Sequence, residues 1–455
     1  MDDNHTRLFA SLFASFAFSF ASAVPAATLH LSPNGVDDTA QLQAALTSCS
    51  GATTTCRIVL GSGTFRTRLL LVEDFRGRLR GQGAGITIIQ PVLGRQLKAS
   101  LTPYAAPPTL ASPYPALLHF TGGGNISISD LTLDFPSQMS VSGWYGDFWN
   151  TLLAAILVDG GVQNQARLSL ARMEVLARPC RKEFTLLSNV MAAVVFGGKR
   201  AWLPNPVVAT VAERLSGGRL DVTQTYVRGT GIGFAVHDAS GIEVRIADND
   251  IQGTHKNAVS LFEVAGSRVR VIGNRIAAEG TVINNYRGFR NFVDPQQALP
   301  ESRPSSFTIA HNVINFSAPG NEEFGPFGAD PIVSVDWMGN RVDPMPDAGI
   351  DTWSIVENDI VMEDKGRAIT IIGDRGRARI AHNRIYGREG AEGIILESSH
   401  RTRTHRNVFI DFPAGSPHLM LGGFTQECSV REPGSIVLDL GLNNSVVAAE
   451  VRTAP

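Results

Sequence analysis

The chain has 455 residues, a formal net charge of −2, a hydrophobic fraction of 43% and a charged fraction of 18%. That composition excludes a disordered chain. The near-zero charge gives no electrostatic ground for a nucleic-acid partner or an anionic membrane, although a local basic cluster can still hold an acidic ligand. Forty-five glycines and only 7% aromatic residues suit many short strands joined by tight turns. Length alone suggests two or three domains, unless the chain grows by repeats.

At the N-terminus, Leu8 to Ala23 form an apolar stretch rich in Phe, Ala and Leu, preceded by Arg7 and ending in Ala21-Ser22-Ala23. This pattern predicts a cleaved secretory signal over residues 1–23, with the mature chain beginning near Val24 to Thr28. Asp2 and Asp3 are atypical of such a segment. The stretch is short for a membrane span and nothing later resembles one, so the mature protein is expected to be secreted or periplasmic, without membrane insertion. Four cysteines fit an oxidising compartment. Cys49 and Cys56 flank the small polar loop Ser50-Gly51-Ala52-Thr53-Thr54-Thr55 and are expected to pair. Such a loop stabilises by ~2–3 kcal/mol in the chain-entropy account. Cys180 and Cys428 are expected to be two separate buried thiols.

From residue 244 onward one pattern recurs: apolar-x-apolar-x-x-Asn-x-apolar. It is centred on Asn249, Asn274, Asn312, Asn358, Asn383 and, more weakly, Asn407. The spacings are 25, 38, 46, 25 and 24 residues, so 24–25 is the bare repeat and longer values carry insertions. Earlier segments keep the apolar pattern with Leu131, Met173 and Thr225 in place of Asn. Period-two alternation makes half-buried strands, and an Asn tolerates the left-handed backbone of a tight turn. Asparagines stacked on successive coils can hydrogen-bond as a ladder. Each coil buries its apolar face only by stacking on the next, at ~4.8 Å. Three strands per coil result, as in Ala258–Ile276. Insertions run over Arg287–Ser306, Ser317–Asp330 and Met338–Asp351, with a longer one over Pro179–Gly218. Long loops on one scaffold face are where binding usually sits.

The segment from Asp37 to Leu46 resembles the capping helix of pectin-lyase-like proteins. Val59-Leu60-Gly61-Ser62-Gly63-Thr64-Phe65 and Leu79-Arg80-Gly81-Gln82-Gly83-Ala84-Gly85 are similar to runs that follow it in that superfamily. With the Asn coils, the resemblance covers about residues 30–410. It implies an all-β fold, a right-handed parallel β-helix with a short N-terminal capping helix. Residues 24–455 are read as one domain, with an N-terminal cap over about 28–60 and an irregular end over about 410–455. The superfamily holds pectate and alginate lyases, polygalacturonase-like hydrolases, uronate epimerases and phage tailspikes, so fold alone does not fix an activity.

The resemblance also implies that chemistry sits on the face made by the first strand of each coil. Alternation there turns Ile232, Phe234 and Val236 inward and His237 outward, with Asp238 beside it. Ser260 points out on the next coil, after His255 and Lys256. Asn285, Tyr286, Arg287 and Arg290 follow, and Asp336 points outward on the coil after that. Cleavage of a uronate chain by β-elimination needs a base for the proton beside the carboxylate and a cation to neutralise that carboxylate. His237, Lys256, Arg287, Arg290 and Asp336 are the candidate catalytic set, with Asp238, His255 and Tyr286 binding substrate. Hydrolysis would instead need two carboxyl groups, from Asp238, Asp336, Glu322, Glu323 or Asp330. The Asn-Thr-Asp, Gly-His-Gly and Arg-Ile-Lys runs of polygalacturonases are absent, as are Asp-Pro-His of the epimerases and Trp-Ile-Asp-His of pectate lyases. No zinc spacing or calcium loop stands out, and a calcium site built from groove carboxylates stays open. The expected protein is a monomer that acts on an acidic polysaccharide, by elimination first. A non-catalytic glycan-binding shaft and a glycoside hydrolase are the alternatives.

Overall fold

The computed structural model describes residues 28–52, 56–92, 116–135, 152–160, 165–177, 190–198, 215–254, 257–287, 303–317, 330–336, 351–363, 365–374, 376–388 and 390–453. The signal region, His255, Lys256, Arg290, Cys180, Glu322 and Glu323 lie outside them.

Every pairing between the named strands is parallel, and strands pair with their counterparts one coil on. First and second strands of the coils make a 22-stranded sheet and third strands an 11-stranded sheet. One coil shows the construction: first strand Asn257–Ala265, second strand Arg268–Ile272, third strand Arg275–Ala278. The chain is a right-handed parallel β-helix. Strand alternation fills its interior with stacked apolar columns. On the third strands Ile251, Ile276, Ile314, Ile360 and Ile385 lie in register, all fully buried. Burial of each is worth roughly 1.5–3 kcal/mol. On the second strands Phe307 stacks on Trp353 with ring centroids 4.1 Å apart.

The asparagine ladder joins the second strands to the third. Asn249 donates from Nδ2 to Oδ1 of Asn274 (3.0 Å), and the same bond runs through Asn312, Asn358, Asn383 and Asn407 at 2.9 Å per step. Each Oδ1 also accepts the backbone N–H of the previous asparagine, at 3.0 Å. The left-handed backbone does not fall on the asparagines, as the sequence suggested, but on the residue before each. Asp248, Gly273, His311, Glu357, His382 and Arg406 have φ between 56° and 68°. The asparagine is selected by the ladder and its neighbour by the turn.

At the N-terminal end the helix Thr39–Thr47 buries Leu42, Ala45 and Leu46. Asp38 accepts the backbone N–H groups of Asn34 (2.8 Å) and Arg66 (3.0 Å), fastening the cap to the next strand. Cys49 and Cys56 form a disulfide, and Cys428 is a buried free thiol. Residues 410–455, expected to be irregular, instead carry the strands Leu419–Leu421, Ser429–Asp439 and Ser445–Thr453 in parallel register. The supposed insertion Pro179–Gly218 contains a complete first strand, Val190–Gly198, paired on both sides. Its run Val190 to Phe196 is almost wholly apolar, so alternation could not reveal it. The other long insertions leave from one edge of the first-strand face or return to the other. Among the described residues no helix is long and apolar enough to cross a membrane.

Candidate functional site

Two outward columns run along the first-strand face. The pairing register aligns Thr121, Asp159, Gly197, His237, Phe262, Tyr286 and Val335 on successive coils. Two residues earlier on each strand it aligns His119, Leu157, Val195, Ala235, Ser260, Asn284, Val333 and Thr370. These side chains face away from the main core. Leu157, Val195 and Ala235 belong to an apolar cluster of their own, with Ala116, Ala154, Ala192 and Ile232, and Val333 and Val335 to another with Ile372.

Polar groups interrupt these columns in two places. In the first, His119 Nε2 lies 2.9 Å from Asp159 Oδ2, with exposures of 4% and 3%. Two coils beyond Asp159, His237 Nε2 lies 3.3 Å from Ser260 Oγ. Gly197 stands between Asp159 and His237 in the same column. A Cβ there would come within 2.0 Å of the His237 carbonyl oxygen, so the position must be glycine. The His237 backbone fills the space a side chain would take, so Asp159 and His237 stand on either side of Gly197 in one column, on coils ~10 Å apart. A carboxylate against an imidazole orients the ring. The His119–Asp159 pair and His237 are groups of the kind that exchange protons, and all three are buried in this structure.

The second place is three coils on. Asp330 accepts the Thr370 hydroxyl (2.7 Å) and the Arg367 backbone N–H (3.1 Å). Burial pushes its carboxyl up to about 6, against the opposing effects of Thr370 and Arg367. Burial and the Asp330 charge push the Tyr286 phenol above its usual value. Glu392, one coil past Arg367, lies 3.3 Å from the Arg367 guanidinium.

The structure separates the residues that the sequence grouped. His237 is outward, in one column with Tyr286, but fully buried. Asp238 takes a left-handed backbone, φ 47°, at the corner where the chain leaves the first strand, as Glu263 does one coil on at 54°. Arg287 and Asp336 follow at that corner and pair in register. Arg287 is 6% exposed and bonds to Asp351, which also accepts the Ser305 backbone N–H at 2.7 Å. Burial opposes the Arg287 cation, but the charges of Asp351 and Asp336 outweigh it, so its pKa is raised further. Burial raises the pKa of both Asp351 and Asp374. Arg287 thus serves an interior charge cluster, not an open groove.

Asp336 does not point outward, because polarity inverts on this coil. Val333 and Val335 take the outer positions, while Ser334 and Asn285 share a column with the core residues Val236, Leu261 and Ile371. Asn285 Nδ2 donates to Ser334 Oγ there at 3.4 Å. Ile232, expected inward, belongs to the outer cluster. His119 and Asp159 were missed by the sequence reading. Alternation in Ala116-Leu117-Leu118-His119-Phe120 carries the same signal that singled out His237. Among the described residues no three His, Cys, Asp or Glu side chains are grouped to hold a metal ion.

The site belongs to a capped, right-handed parallel β-helix with titratable groups on its first-strand face. No protein-family model matches the chain, and no curated protein does. Among solved structures it is similar to PfbA, a surface adhesin of Streptococcus pneumoniae. The identity is 11% and the TM-score 0.46, with 89% of this chain and 93% of the other covered. It is also similar to the A-module of the mannuronan C-5 epimerase AlgE6 of Azotobacter vinelandii, at 14% identity and TM-score 0.37, with coverage of 92% and 96%. A third is DFA-IIIase from Arthrobacter chlorophenolicus without its lid, at 11% identity and TM-score 0.40, with coverage of 89% and 95%. Likeness at these identities concerns the fold alone.

Proposed function

We propose that the protein is an exported, monomeric carbohydrate-active enzyme that takes an acidic polysaccharide across its first-strand face and cleaves it by β-elimination. The observation that carries this reading is the pair of proton-transfer groups, His119–Asp159 and His237, on the outer columns of the first-strand face with Gly197 between Asp159 and His237. In the reaction His237 takes the proton beside the uronate carboxylate. The electron pair forms a carbon–carbon double bond as the glycosidic C–O bond breaks, and His119, held by Asp159, protonates the departing oxygen. Lys256 and Arg290 are the cations assigned to the carboxylate, with His255 beside them, since Arg287 is occupied by Asp351.

Incubation with alginate, pectate and glycosaminoglycans, followed by the absorbance of unsaturated products, tests this. His119→Ala and His237→Ala should each lower turnover by about 10²–10⁴-fold, with binding retained. Two other readings have an observation in their favour. Burial of His119, Asp159 and His237 favours a glycan-binding or surface-structural β-helix, and this reading wins if polymer binds but is never cut. Asp330 and Glu392, on coils two apart with Arg367 between, are the carboxyl pair a hydrolase would use. Their coil separation, ~10 Å, lies just beyond the range for inverting enzymes. New reducing ends without unsaturation would select that reading. The apolar segment at residues 8–23 and the disulfide support export to the periplasm or medium. N-terminal sequencing of extracytoplasmic protein should then begin between Val24 and Thr28, and an intact Met1 would refute it.

A further inference from the structure

The outer positions of the second strands form two columns of their own. One aligns Arg268, Ser306, Thr352 and Arg377, and the other Arg270, Thr308, Ser354, Arg379 and Arg403. On the coils immediately before Arg268 two cations are neutralised. Arg219 and Arg245 share Asp221, at 2.8 and 3.1 Å. From Arg268 onward the pattern changes. Among the described residues no carboxylate lies within ion-pair distance of Arg268, Arg270, Arg377, Arg379 or Arg403, and only Arg401 has one, Glu427 at 3.2 Å. Ser306, Thr308, Thr352 and Ser354 fill the two coils between the arginine groups with hydroxyls. At the C-terminal end Arg377, Arg379, Arg401 and Arg403, with Glu427 and Ser429, line a surface groove of ≈ 530 Å³.

We infer that this second-strand face is a binding track for a linear anionic polysaccharide laid along the solenoid axis. The track spans five coils, from Arg268 to Arg403, which is four strand spacings or ~19 Å. Its two columns stand two residues apart on each strand, ~7 Å, a width that fits one extended glycan chain but neither a nucleic-acid duplex nor a bilayer surface. Successive coils repeat at ~4.8 Å, close to the length of one pyranose in an extended chain, so each coil can meet one sugar. Guanidinium groups hold carboxylates or sulfates in bidentate fashion and cannot lose their charge, while the intervening hydroxyls meet sugar hydroxyls. A protein of net charge −2 that leaves five arginines unpaired on one narrow face has a local field that its overall charge conceals. The inference does not depend on whether the first-strand face is catalytic.

The test uses the full mature chain and labelled polygalacturonate, with neutral dextran, duplex DNA and anionic phosphatidylglycerol vesicles as separate arms. The triple variant Arg377→Gln/Arg379→Gln/Arg403→Gln should weaken polygalacturonate binding about tenfold at low salt, three exposed ion pairs acting together. The slope of log affinity against log salt should fall by about 2. Dextran should not bind, and Arg219→Gln, whose guanidinium is already paired with Asp221, should bind polygalacturonate as the parent does, which separates the unpaired arginines from the neutralised ones. Because these arginines are exposed, melting temperature should hold; if the triple variant is unstable, Arg379→Glu alone carries the same reading. Unchanged affinity in a folded variant would overturn the inference. So would tighter, arginine-dependent binding to DNA or vesicles, since the occupant would then be of another class.

Discussion

Asn358 has ladder partners on both sides and donates to the Ile309 carbonyl as well. Truncation to Ala strands buried groups on two neighbouring coils and should cost about 1–3 kcal/mol, read by chemical denaturation. The ladder ends on Glu432, which accepts Asn407 through Nδ2 (2.6 Å) and backbone N–H (2.9 Å). The ladder was legible because six asparagines recur at a fixed place in a strand pattern. Glu432 was not, because a carboxylate ending the column has no periodic partner in sequence. Asp330 gives a pH signature. Its folded-state pKa, about 6, is raised above the ordinary 3.8. Its contribution to stability is therefore full below about pH 4 and lost as pH rises through about 6. Asp330→Asn removes that loss, so the variant should gain up to about 3 kcal/mol on the parent between pH 4 and 7.5. A constant difference across that range would mean that the carboxyl titrates normally.

At the scale of the strand, what governs the site is which parity faces out. On the strands Ile232–Ala247 and Asn257–Ala265 the sequence expected His237 and Ser260 on the outer side, and the register aligns them with the two outer columns. On the coil of Ile332–Asp336 polarity and position disagree, since valines face outward and Ser334 joins the core columns. The sequence reading placed polar groups outside and so misassigned Asp336. Only the cross-coil register, a long-range property, corrects it. Gly197 tests the register directly. An alanine Cβ would collide with the backbone oxygen of His237, which cannot rotate away as a side chain would. Gly197→Ala should cost about 1–3 kcal/mol by overpacking and displace the coil of His237 relative to Asp159. Denaturation of the variant beside the assay for unsaturated products would show both effects; a stable, fully active Gly197→Ala would mean that the strand is free to shift.

Across the whole molecule, each coil touches mainly the coils before and after it, so stability is close to a sum of neighbour terms and should fall toward the ends. The two ends are closed differently. The C-terminal end is the strand Ser445–Thr453, which leaves Val447 and Val451 exposed at 56% and 44%. The N-terminal end carries the helix Thr39–Thr47, with Leu42 and Leu46 sealing the core and a disulfide seven residues wide joining the helix exit to the strand Cys56–Leu60. That short loop stabilises by ~2–3 kcal/mol in the chain-entropy account. In a solenoid the gain should stay local. Cys49→Ser/Cys56→Ser should then raise amide exchange in residues 28–80 by roughly 30–150-fold, at 1.4 kcal/mol per factor of ten, while the ladder coils 352–386 exchange as before. Their asparagine bonds and isoleucine stack depend on neighbours, not on the cap. Equal acceleration from residue 28 to residue 453 would show instead that the coils open as one cooperative unit, with the cap acting on the whole solenoid.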